Sequence, residues 1–221
     1  RKLNIKEVRS GFLPYLKQLQ HEKWWRIGLD PEQSSRLPRE LASIIQGCTA
    51  VARANLEGKE ACLDLAKDAA DYLLWSQAQA EAGLFPVPAL RGGPGKAAAT
   101  IRRFVANTKR KGKANVVLRR GWIVEDGGDG GLQFDNGECG EALFELARLT
   151  NNQRYQVAAE RAAAWAEVQR VVPNWNYNSI SISLLARAYA AAHQQHYLDT
   201  ALRKAAFGLL PGQLRDGPFA G

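Results

Sequence analysis

The sequence predicts an all-α chain of tandem α-hairpins that carries one long, loop-rich insertion. Three observations lead there. Apolar residues recur at helical spacing along most of the 221 residues. Three segments share one plan: a helix ending in Ala-Arg, a short polar turn, and a second helix rich in Ala and Leu. A stretch bearing Pro86, Pro88, Pro94 and many glycines, about residues 82–134, separates the first copy from the second. The whole of 1–221 reads as a single domain.

Each element has its own signal. "IKEVRSGFLPYLKQLQ" (5–20) has helical spacing, and Pro14 is expected to break it. Residues 37–79 read as two helices that part at "NLEGKE", with Gly58 as the stop of the first. Residues 140–170 part at "LTNNQRY" and 178–208 at "AAHQQHY". The last two second helices open on an aromatic, "RYQVAAERAAAW" and "HYLDTALRKAAF". Ala52-Arg53, Ala147-Arg148 and Ala186-Arg187 mark the three copies, their arginines 95 and then 39 positions apart. Tandem hairpins of this length are the mark of stacked helical pairs, and their Ala positions let helices approach closely. The insertion is expected to hold a short basic helix (96–109) and an extended piece, "NVVLRRGWIVE" (115–125). Connections this long usually carry function.

Composition narrows the classes. There is no apolar run of about 18 residues to span a membrane. "RKLNIKEVRS" lacks the apolar core of a signal peptide. The chain has no Met and opens on Arg1, as a trimmed chain or a fragment does. Cys48, Cys62 and Cys139 lack metal-ligand spacing and read as buried thiols, which gives a cytoplasmic expectation. The net charge of +8 favours a polyanionic partner. Residues 102–120 hold eight Lys and Arg and no acid.

The chemistry-bearing residues gather at the helix entrances. In "DNGE", Asp135 and Glu138 match a capping box at a helix start. Asp135 or Glu138 can also face a cleft at the helix start as an acid or base, with Asp126 or Asp129 as the partner carboxylate of Asp135. Asp126 and Asp129 in "EDGGDGG" fit a soluble loop or a substrate contact, and their spacing is not that of a calcium loop. "GGPGKAAAT" lacks the first Gly and the Ser/Thr of a phosphate loop. His193 and His196 read as a solvated turn, and His21 with Trp24 and Trp25 as a core anchor. Ser179, Ser181 and Ser183 lack a nucleophile-elbow pattern. "PNWNYNS" precedes the third hairpin as "LQFDNGE" precedes the second, so Trp175, Tyr177 and Asn178 are expected near Phe134 and Trp122. Aromatic faces beside Asn, Asp and Arg suit sugar rings.

The units "GEALFELARLTNNQRYQVAAERAAAW" and "SISLLARAYAAAHQQHYLDTALRKAAF" resemble the six-hairpin glycosidase superfamily and related (α/α) toroid enzymes. The resemblance covers roughly 38–80 and 135–210. It implies an (α/α) toroid, or part of one, since about six hairpins close such a ring and three are legible here. It also implies a glycoside hydrolase, polysaccharide lyase or sugar epimerase with its site at one end of the ring. The matching entrance positions are Asp135 and Glu138 on one hairpin, and Asn176 and Asn178 on the next, where no acid stands. Asp126, Asp129 or Asp216 is left to supply a second carboxylate. The expected partner is an oligo- or polysaccharide, an acidic one suiting Arg119 and Arg120, with Tyr177 moving the proton if a uronate is eliminated. No cofactor and no metal are expected. The alternative is a non-enzymatic helical-repeat module that binds nucleic acid or an acidic partner through 102–120.

Overall fold

The computed structural model describes residues 5–22, 25, 38–89, 96–125, 130–213 and 216. Within them the protein is mostly helical. Helix α1 (Ile5–Glu22) precedes the first hairpin, α2 (Pro38–Arg53) and α3 (Lys59–Ala80). The insertion holds β1 (Val87–Pro88), α4 (Lys96–Arg110), α5 (Ala114–Val117), β2 (Leu118–Arg119) and β3 (Trp122–Ile123). The second hairpin is α6 (Gly131–Thr150) with α7 (Gln153–Val168). The third is α8 (Trp175–Ala192) with α9 (Gln195–Gly208), closed by a 3-10 turn at Leu210–Gly212.

The two later hairpin turns are each two residues long. Asn151 and His193 end their helices in the left-handed region, with φ of 52° and 54°. Asn152 and Gln194 follow in extended conformation, and the Asn152 side chain accepts from Arg154 N at 3.0 Å to cap α7. Tyr155 and Tyr197 hold the third position of α7 and α9, and both are buried. The first turn differs. α2 stops at Arg53, and Gly58 (φ 83°) stands directly before α3, so this glycine opens the second helix instead of closing the first. Pro14 does not break α1. The exposed ring removes one backbone hydrogen bond, while Leu16 and Leu19 tie the helix into the core.

The helices form two layers. α2, α6 and α8 lie side by side, backed by α3, α7 and α9. Contacts along the first layer advance together: Arg39 meets Asp135, Gln46 meets Glu138, and Arg53 meets Glu145, so α2 and α6 are parallel. α6 and α8 are parallel too, and close. A Cβ on Gly137 or Gly140 would collide with Ile180 or Leu184. Ala158, Ala159, Ala162, Ala163 and Ala166 give α7 the small buried face that the second layer needs.

The insertion packs at the end of the stack where α3 finishes and α6 begins. Its three two-residue strands pair antiparallel in the order β1-β3-β2, with Val87 opposite Ile123 and Arg119 opposite Trp122. The β2–β3 turn uses Arg120 (φ 49°) and Gly121 (φ 83°), the left-handed pair a two-residue hairpin requires. The expected basic helix is present, while the expected extended piece is a short helix followed by this hairpin. A separate small core of Leu84, Val87, Ile101, Val105 and Trp122 holds it together. Trp75 of α3 meets Trp122 edge-on at 5.6 Å. Asn136, fully buried in α6, joins the parts: its Oδ1 accepts from Phe85 N at 3.3 Å and its Nδ2 donates to Ala162 O at 2.9 Å. Among the described residues no helix is long and apolar enough to cross a membrane.

Candidate functional site

Asp135 is not a helix cap. α6 begins at Gly131, because Gly130 (φ 85°) turns the chain one residue before it, so Asp135 falls in the second turn. There it is buried, and its Oδ1 accepts from Arg39 Nε of α2. Burial pushes its carboxyl above the usual carboxylate range; the Arg39 charge and hydrogen bond oppose the shift without cancelling it, and Glu138 and Glu40 add to it.

Arg39 also lies over the Phe134 ring, 4.9 Å from its centroid. Phe134 in turn meets Tyr177 of α8 at 5.4 Å. The parallel layer thus brings Arg39, Phe134, Asp135 and Tyr177 together at its N-terminal end. Glu138 follows one turn along α6 on the same face and accepts from Gln46 Nε2 at 3.1 Å.

From Glu138 an open groove of about 410 Å³ runs down the free face of the layer, lined by Gln46, Thr49, Arg53, Glu141, Glu145 and Arg187 among others. At its far end the arginines of all three repeats converge on Glu145. Arg53 and Arg148 reach Oε1 at 3.0 and 2.9 Å, and Arg187 reaches Oε2 at 3.9 Å while its Nε holds Glu141 Oε2 at 3.1 Å. Burial pulls the Glu145 carboxyl up, but Arg148, Arg53 and Arg187 outweigh it and hold it below the usual range. Among the described residues no group of three or more His, Cys, Asp or Glu is set to hold a metal.

The other expected residues lie elsewhere. Trp122 is buried in the insertion core and offers no ring face to a ligand. Arg119 Nη1 donates to Glu81 O at 2.8 Å, and Arg120 pairs with the Glu81 carboxylate at 2.6 Å, so both clamp the end of α3. Asn178 is fully buried and closes a loop: its Nδ2 donates to Val172 O and Gly208 O, and its Oδ1 accepts from Val172 N. Trp175 is exposed beside Gly212. Asp126 and Asp129 lie outside the described residues, and Asp216 is exposed. All three cysteines are free, buried thiols, each pushed up by burial. His196 pairs with Glu167 and Gln194 at the third hairpin turn.

Arg39, Gln46, Glu141 and Glu145 were not singled out in the sequence. Glu138, Glu141 and Glu145 at three- and four-residue steps did announce one acidic helix face. Nothing local in "LPRELAS" announces that Arg39 meets a carboxylate 96 positions away. No protein-family model, curated protein or solved structure matches the chain.

Proposed function

We propose that the protein is a carbohydrate-active enzyme of the six-hairpin glycosidase type, its three hairpins forming part of an (α/α) toroid. The carrying observation is Asp135, a buried carboxyl raised by its surroundings, one helical turn from Glu138 at the head of a polar groove. A raised carboxyl holds its proton to higher pH than a free one, which is the direction a general acid needs. Glu138 is the second carboxylate. Residues three apart lie on one helix face, so both carboxylates stand on the same side of α6. Arg39, half-exposed, covers Asp135, and a substrate reaches the acid by drawing the guanidinium aside. Phe134 and Tyr177 offer rings to a sugar, and the groove's carboxylates and guanidiniums suit its hydroxyls.

Elimination from a uronate is the second reading, favoured by Arg39 and Tyr177 both standing against Phe134. Arg39 then neutralises the sugar carboxylate and Tyr177 moves the proton. One assay separates the two: incubation with neutral and uronate-containing polysaccharides, following both reducing ends and unsaturated-uronate absorbance, with Asp135→Asn alongside. Reducing ends without unsaturation, lost in the variant, support hydrolysis. Unsaturation supports elimination. Neither product on any substrate sinks both.

A further inference from the structure

Ten of the chain's 30 basic residues lie within 82–124 and none of its 22 acidic ones does, which leaves 20 against 22 elsewhere. The net positive charge therefore belongs to the insertion. α4 turns Ala98, Ile101, Val105 and Thr108 inward and keeps Arg102, Arg103, Lys109 and Arg110 exposed. Along this outer face runs a shallow groove of about 630 Å³, lined by Thr100, Arg103, Phe104, Ala106, Asn107 and Arg110. Arg103 and Arg110 are two helical turns apart, about 10.5 Å along the axis. That exceeds the width of one sugar ring, so the two guanidiniums suit two carboxylates along a chain. Asn107 Oδ1 accepts from Arg110 Nη2 at 2.9 Å and steadies it. The half-buried Phe104 ring supplies an apolar wall beside the amide of Asn107 and the hydroxyl of Thr100. Arg119 and Arg120, tied to Glu81, take no part.

We propose that the groove along α4 binds an acidic polysaccharide, with Arg103 and Arg110 each meeting a carboxylate of one chain. Planar guanidiniums engage carboxylates two bonds at a time. Single-stranded nucleic acid wants free aromatic faces for its bases, and the one ring here packs partly into the insertion core. The choice of a glycan also rests on the enzyme reading above; the charge and the groove do not. The insertion packs on Leu132 at the start of α6, the helix that carries Asp135.

The test is retention on immobilised polygalacturonate across a salt series, with a DNA duplex as the competing probe. Wild type binds at low salt and is released as salt rises. Arg103→Glu/Arg110→Glu weakens binding about tenfold or more, because fewer counterions are displaced and like charges face the polymer. Arg103→Gln/Arg110→Gln, milder for the helix, falls between; circular dichroism checks that both variants fold. Lys67→Glu/Arg154→Glu makes the same charge change on the stack and stays within about twofold of wild type, since the polymer does not lie there. Equal weakening by both charge-reversed pairs, or tighter binding of DNA than of polygalacturonate at matched salt, overturns the proposal. Retention needs no turnover. If depolymerisation never appears yet only the α4 variants lose retention, the enzyme reading falls and this site stands.

Discussion

The hairpin stack and the insertion solve the same packing problem by different means. The stack has a core of Leu, Ile and Ala, with small residues at its closest helix contacts and paired charges along its free face. Gly137 and Gly140 admit Ile180 and Leu184, and three arginines share Glu145. The insertion is held by a few large side chains around Trp122 and keeps Arg102, Arg103, Lys109 and Arg110 of α4 exposed. Close helix contact calls for repetition, and repetition brings equivalent residues together. A short hairpin and one helix around a tryptophan call for none, and their outer face is free to carry charge.

The largest expected effect lies in the stack. On the enzyme reading proposed above, Asp135→Asn is expected to lower depolymerisation by about 10²–10⁴-fold, the effect of losing a general acid. Product release per minute is the measurement, and a variant as active as wild type removes Asp135 from the chemistry.

Next come glycines, which sharpen the contrast. Gly137→Ala forces a methyl against Ile180, including its backbone, and is expected to cost about 1–3 kcal/mol by overpacking. Gly121→Ala has open space but a left-handed φ, and is expected to cost about 1 kcal/mol. Asn tolerates that φ, so Gly121→Asn should recover much of the loss, while Gly137→Asn should be worse than Ala. Thermal melts of the four variants decide whether space or backbone sets each cost.

Two of the four carboxylates of α6, Asp135 and Glu145, should titrate with opposite signs. Asp135 is raised in the fold, so its contribution is fully present below the ordinary Asp range, about pH 4, and is lost as pH rises through its folded value. Glu145 is lowered, so its contribution is present above the ordinary Glu range and lost as pH falls through its folded value. Relative to wild type, Asp135→Asn should therefore gain stability as pH rises from about 3 to 7, and Glu145→Gln should lose it. Denaturant midpoints across that range that move in parallel would break the distinction.

A last effect concerns Lys204, buried in α9, whose Nζ donates to Gln169 O at 2.7 Å. Burial, helped by the neighbouring Arg203, lowers its pKa to about 8. The unfolded chain thus holds the proton longer, and stability should rise between pH 8 and about 10.4, a rise Lys204→Met removes.

The repeat, the two later hairpin turns and the basic helix were legible because each is set by neighbours in sequence: helical period, an Asn or His that accepts the left-handed region, a run of cations. Asp135 and Glu138 were legible as residues, but the capping role was not theirs, since Gly130 starts the helix earlier. Trp122 and Asn178 looked like ligand contacts because aromatic and amide side chains serve cores and sugars alike, and burial alone separates the two uses.

The sequence by itself determined the all-α character, the three hairpins and where the insertion falls, because local periodicity and turn chemistry suffice for these. Only the tertiary structure decided that Arg39 covers Asp135, that the repeat arginines meet at Glu145 and that Arg119 and Arg120 clamp α3. Apart from the local Arg148–Glu145 pair, those contacts join residues about 40 to 100 positions apart, and for the helix–helix ones the parallel alignment of neighbouring helices, which no local signal encodes, selects the partners.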